Sequence, residues 1–111
     1  DGLSVGDTSQ GVLDERNALG AQGFASVAVA VSGKTKDVAG EVQIEMHGIT
    51  GGDDPYLARE AVQTVKGAVK RALGKGGGAK EVKKAARDAF LSLLWERTKQ
   101  RPMVIVNLLE V

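Results

Sequence analysis

The order of apolar and polar positions along this chain predicts five elements, two strands, then two helices, then a last strand. Phe24-Ala25-Ser26-Val27-Ala28-Val29-Ala30-Val31 is a valine-rich run of strand type, read as covered on both faces and closed by the turn-like Ser32-Gly33-Lys34. From Val38 to Met46, Val38, Gly40, Val42, Ile44 and Met46 alternate with Ala39, Glu41, Gln43 and Glu45. Period two describes a half-buried strand, and the two runs read as a hairpin. Asp53-Asp54-Pro55 then starts a helix, because an Asp54 carboxylate accepts orphan N–H bonds and Pro55 has no N–H to lose. Ala58, Ala61, Val62, Val65, Val69, Ala72 and Leu73 give it one buried stripe up to Gly74. Gly67 interrupts that helix at a cost of roughly 1 kcal/mol relative to alanine.

A second helix is predicted from Ala79 to Gln100, with Val82, Ala85, Ala86, Ala89, Phe90 and Leu93 on the core side. Its outer side begins with Lys80, Lys83, Lys84 and Arg87, and the same spacing leads on to Leu91, Leu94 and Trp95. An apolar outer face on a helix that already owns a core stripe implies a second layer of contacts. Pro102 ends the helix, and Met103 to Leu109 reads as a strand apolar on both faces. The expected fold is therefore α+β, a small three-stranded sheet with two helices packed on one face in the order β-β-α-α-β. Residues 1–22, rich in Gly, Asp, Ser and Asn with a short extended piece at Val12-Leu13, read as an arm, and residues 23–111 as the compact domain.

A length of 111 residues suits one core, sufficient without disulfides or a structural metal. The chain has no cysteine, which excludes thiolate zinc sites, cysteine nucleophiles and CxxC redox chemistry and fits a reducing compartment. No apolar run reaches the roughly 20 residues of a membrane span, and no signal peptide is evident, so a cytoplasmic setting is expected. Because the chain opens on Asp1-Gly2, an excised piece of a longer polypeptide is expected too. The net charge of +1 conceals a segregation: residues 1–58 carry three basic and nine acidic groups, residues 59–101 twelve basic and four acidic. One surface suits phosphate or an acidic partner, another a basic one.

Candidate chemistry is sparse. His47 is the single histidine, with no GxSxG to serve as a nucleophile's setting and no further ligand for a zinc set. Asp53 and Asp54 are better explained as helix caps than as magnesium ligands. The glycine run Gly74-Lys75-Gly76-Gly77-Gly78 is no Walker loop, since Lys80 is followed by Glu81. It does contain GxxG between two helices, as in KH domains that clamp a nucleic-acid backbone, although a flexible connection is the plainer reading. Lys75, Lys80, Lys83, Lys84 and Arg87 are the candidate RNA contacts, acting through phosphate. Leu91, Leu94, Trp95, Val104, Val106 and Leu108 are the candidate interface.

Several segments together resemble the C-terminal domain of bacterial ribonuclease J: Asp1-Gly2 with Val5-Gly6-Asp7, Val12-Leu13-Asp14-Glu15-Arg16, Gly23 opening a valine-rich strand, and Thr98-Lys99-Gln100-Arg101-Pro102-Met103-Val104. Met46-His47-Gly48-Ile49 replaces the family's Ser-Arg-Gly-Phe-like turn, so no contact of that arginine or aromatic is carried over. Val106-Asn107 stands where the family often has a proline. The resemblance implies a parent enzyme with a metallo-β-lactamase core and an inserted β-CASP domain, acting as a 5′-to-3′ exoribonuclease and an endoribonuclease. Zinc, or manganese or magnesium, would be held upstream in the missing catalytic domain, and this fragment would carry neither catalytic residues nor a cofactor. Residues 1–22 would end the linker from that core. The expected partners are a second copy of the chain, the parent's catalytic core and RNA, with no membrane. The expected role is self-association or docking to the core, with an RNA-binding accessory domain as the alternative.

Overall fold

A computed structural model describes residues 23–111, and the expectations for residues 1–22 lie outside the described residues. The elements are β1 (Phe24–Ser32), β2 (Asp37–Val38), β3 (Gln43–His47), α1 (Pro55–Gly74), α2 (Ala79–Thr98) and β4 (Met103–Glu110). This is the α+β order β-β-α-α-β, with the sheet in four strands because the second strand is divided. β1 is central. It pairs antiparallel with β2 and β3 along one edge and parallel with β4 along the other. A parallel partner requires a long crossover, and the two helices supply it.

The division of the second strand leaves its facing intact. Val31 faces Val38 while Ala28 faces Gln43, so three steps along β1 match five along its neighbour. The two extra residues bulge around Gly40, which sits at φ +84°. Because side chains alternate with period two, an insertion of two returns Val42, Ile44 and Met46 to the face that Val38 occupies. An insertion of one would have turned them to solvent.

Ala25, Val27, Val29 and Val31 are buried, and Ala28 between them is exposed. β1 is thus covered on one face, not on both as expected. The same holds for β4: Val104 is buried with Val106 and Leu108 packed beside it, whereas Ile105, Leu109 and Val111 are exposed. Both helices lie on the covered face. α1 buries Leu57, Ala61, Val65, Ala68 and Val69, and α2 buries Val82, Ala86, Phe90, Leu93 and Leu94. Leu57 and Ala68 join the core in place of Ala58 and Val62, which are half-buried.

Asp54 caps α1 as expected, its carboxylate accepting the Tyr56 N–H at 2.9 Å. The glycine run forms a hydrogen-bonded turn. Gly77 N–H donates to the Ala72 carbonyl at 2.9 Å and Gly76 N–H to that of Leu73 at 3.0 Å, the two bonds of a Schellman cap, with Gly76 at φ +79°. Gly78 N–H then donates to the Glu81 carboxylate at 3.0 Å and opens α2.

Candidate functional site

The described residues hold no group of three or more His, Cys, Asp or Glu side chains placed to bind a metal ion. His47 is an exposed strand-end residue, its ring stacked on Phe24 with 6.2 Å between centroids and its Nε2 3.5 Å from a Glu45 oxygen. No described helix is long and apolar enough to cross a membrane. Three surfaces of the described residues present candidate sites.

The first is the basic beginning of α2. Lys75, Lys80, Lys84 and Arg87 are exposed and Lys83 half-buried, so the sequence placed this cluster correctly on the outside. Asp88 stands within it: Lys84 Nζ lies 2.7 Å from one carboxylate oxygen and Arg87 Nε 3.9 Å from the other. A KH-like clamp further needs turn amides directed at phosphate. Here the N–H groups of Lys75, Gly76, Gly77 and Gly78 donate within the chain.

The second is the last strand. Among the described residues, β4 pairs with β1 alone, so its other edge carries eight residues' worth of backbone without a strand partner. Outward from the sheet it presents Ile105 at 36% exposure, Asn107, and Leu109 at 64%, with Val111 beyond at 65%. These are not the side chains singled out from sequence. Val104 is buried and Val106 and Leu108 pack against the core, and Leu94 is fully buried among them. The expected interface residues Leu94 and Val104 thus belong to the interior, because β4 itself covers that side of α2. Leu91 is half-buried. The outward residues were missed because a strand with apolar side chains at nearly every position gives no clue to which parity faces solvent.

The third is the end of the helix pair remote from the glycine turn. There the start of α1 and the end of α2 are tied by Arg97, whose Nε donates to a Glu60 oxygen at 2.9 Å while a second N–H reaches the other oxygen. This fork holds the Glu60 carboxyl below its ordinary pKa and raises that of the guanidinium. Arg97 also reaches Glu96 at 3.1 Å. On another side of α2 stands Trp95, 43% exposed, with the Arg101 guanidinium 4.6 Å and the Lys99 ammonium 5.4 Å from its ring centroid. Lys99 holds the left-handed position that ends α2, at φ +57°, and its N–H donates to the Trp95 carbonyl. That cap curls the chain back toward the indole.

A family model described as Ribonuclease J C-terminal domain matches residues 11–111. The chain is 32% identical over 113 aligned residues to Ribonuclease J 2 of Staphylococcus aureus (strain NCTC 8325 / PS 47), and to the same degree to the Ribonuclease J 2 proteins of Staphylococcus saprophyticus and Staphylococcus epidermidis. All of the chain is covered in each case, and it spans 20% of the length of these relatives.

Proposed function

The chain belongs to the ribonuclease J C-terminal domain family, and from that premise we propose that it is a non-catalytic domain of a longer, metal-dependent 5′-to-3′ exoribonuclease and endoribonuclease, serving self-association through β4. The observation that carries this reading is the edge of β4 that has no strand partner among the described residues, together with the exposed Ile105, Leu109 and Val111. Long apolar edge strands template pairing with another chain, and proteins that stay monomeric protect them with charge, proline or a covering element. Here the outward row of β4 offers Ile105, Asn107 and Leu109, none of them charged. A second copy, meeting the same edge about a two-fold axis, would pair the two β4 strands antiparallel and set their outward rows side by side as cross-strand neighbours.

Sedimentation velocity of the chain across concentration tests the reading. A concentration-dependent dimer is expected, and Ile105→Lys with Leu109→Lys returns it to monomer with its far-UV spectrum unchanged. A chain that stays monomeric at every concentration removes self-association. Docking of β4 on the parent's catalytic core then becomes the reading to test, by adding that core to the same cell.

A further inference from the structure

We propose that the flank of α2 formed by Lys80, Lys83, Lys84 and Arg87 holds the sugar-phosphate backbone of RNA by its phosphates, without reading the bases. The choice of RNA over another polyanion rests on the ribonuclease reading above. The surface is separate from the outward row of β4 and does not depend on self-association.

The starting observation is charge placed where a helix does not favour it. The first N–H groups of a helix carry partial positive charge, so anions stabilise its start and cations its finish. α2 begins instead with Lys80, Lys83, Lys84 and Arg87, and Glu81 is the acidic residue of its first turn. That carboxylate already accepts the Gly78 N–H at 3.0 Å. Lys84 and Arg87 share Asp88, while Lys80 and Lys83 have no ion-pair partner among the described residues. The cations therefore repel one another and the helix start. An anion from outside the chain relieves that repulsion, and no described carboxylate does so for Lys80 or Lys83.

Geometry narrows the kind of anion. Spacing by threes and fours sets the four side chains on one flank, with neighbouring Cβ atoms about 5–6 Å apart. The row runs about 10 Å along the helix axis. A polynucleotide strand with one phosphate per roughly 3.4 Å of axis brings about three of them across that length, whereas a single small anion meets only part of the row. The flank offers little to any other partner. No aromatic residue stands between Ala79 and Asp88, so bases have no ring to stack on. The larger apolar side chain of this stretch, Val82, is buried with Ala86, so the apolar centre that a protein interface uses is missing too. Contact with phosphate, which positions a nucleic acid without reading its sequence, needs neither. Lys75 lies outside the row, lining a separate groove between the helices with Arg71, Glu81 and Ala85.

The test is a titration of labelled ten-nucleotide oligouridylate and oligoadenylate with the 111-residue chain, followed by anisotropy from about 50 mM salt upward. The two are expected to bind alike within about threefold, the logarithm of affinity falling against that of salt with a slope of about −2 to −3 for three or four phosphates. Lys80→Gln with Lys84→Gln is expected to weaken binding roughly tenfold and to flatten the slope by about one. Lys80→Arg with Lys84→Arg is expected to bind as the parent does. Asp88→Asn, which releases Lys84 and Arg87, is expected to tighten binding severalfold. Arg59→Gln with Lys99→Gln removes the same charge at the far end of the helix pair and is expected to leave the affinity within about twofold. Thermal melts establish that each variant is folded. The proposal is overturned by absence of binding at the lowest salt, by binding indifferent to salt, or by a preference between the two oligonucleotides above about tenfold. It is also overturned if the far-end pair weakens binding as much as the Lys80 and Lys84 pair, which assigns the affinity to net charge. Oligoglutamate of the same length binding as tightly as RNA assigns the flank to an acidic protein and overturns it as well. A monomer that binds RNA in this way keeps this inference and removes self-association, and a dimer indifferent to RNA does the reverse. Cleavage of RNA by the parent enzyme reads the ribonuclease premise by itself.

Discussion

Leu94 and Trp95 are adjacent on one helix and have opposite fates. Leu94 is fully buried and Trp95 nearly half open. Leu94→Ala therefore removes core volume and is expected to cost about 3 kcal/mol in a urea melt, while Trp95→Ala is expected to cost less, about 1–2 kcal/mol. The bridge between Glu60 and Arg97 offers a second test at this scale. Its carboxyl has a folded pKa below the ordinary value. The stability it contributes is thus fully present above the unfolded carboxylate's pKa and is lost as pH falls through the lowered folded value. The two side chains are 39% and 48% exposed, so solvent screens the pair and its contribution is modest. A melting temperature gap between the parent and Glu60→Gln is expected at neutral pH, closing as the solution is acidified. A gap that widens toward acid would contradict the assignment.

The elements show why position along a helix was partly readable and partly not. Val82, Ala86, Phe90 and Leu94 recur every four residues, and each such step advances about 40° beyond a full turn. By Leu94 the buried stripe has moved toward the side on which the lysines begin, so extending the basic side by threes and fours ran into the core. Leu94 was legible only to a reading that followed this drift. Trp95 was correctly placed outside. In the strands the difficulty was different: the outer positions of β1 are Ser26, Ala28 and Ala30, marked off from the valines by size rather than polarity, and β4 has no such marker. The division of the second strand had one signal, Gly40. Glycines also separate into two kinds. Gly76 holds a left-handed conformation, and Gly76→Ala is expected to lower stability by about 1 kcal/mol through strain at the Schellman cap. Gly67 lies within α1, where an added Cβ would meet only the terminal nitrogen of Arg71 at 3.3 Å. Gly67→Ala is expected to raise stability by up to about 1 kcal/mol, since Arg71 can swing away. Opposite signs for the two changes in one thermal-melt series check both arguments.

At the scale of the whole molecule, the first and last described strands lie side by side. Eight residues of β1, from Phe24 to Val31, are matched in parallel by Met103 to Glu110. Further bonds continue the pairing at both ends, Met103 N–H to the Gly23 carbonyl at 3.1 Å and Val111 N–H to that of Val31 at 2.8 Å. The central strand therefore has no complete set of hydrogen bonds until the end of the chain has returned across both helices. Such long-range closure makes folding slow and places β1, flanked on both edges, among the best-protected segments to amide exchange. A chain ending at Arg101 is expected to keep some helical signal and lose its cooperative thermal transition, because it exposes the edge of β1 and the β4-facing side of α2 together. The same strand that closes the core is the one that the self-association reading uses, but the two uses separate by side-chain parity. Substitutions at the inward Val104 or Val106 are expected to abolish the transition, whereas charges at the outward Ile105 and Leu109 leave it in place and change only the mass in solution. If the outward charges also abolish the transition, β4 is an internal strand of the fold whose outer face is covered within the chain, and it offers no surface to a second copy.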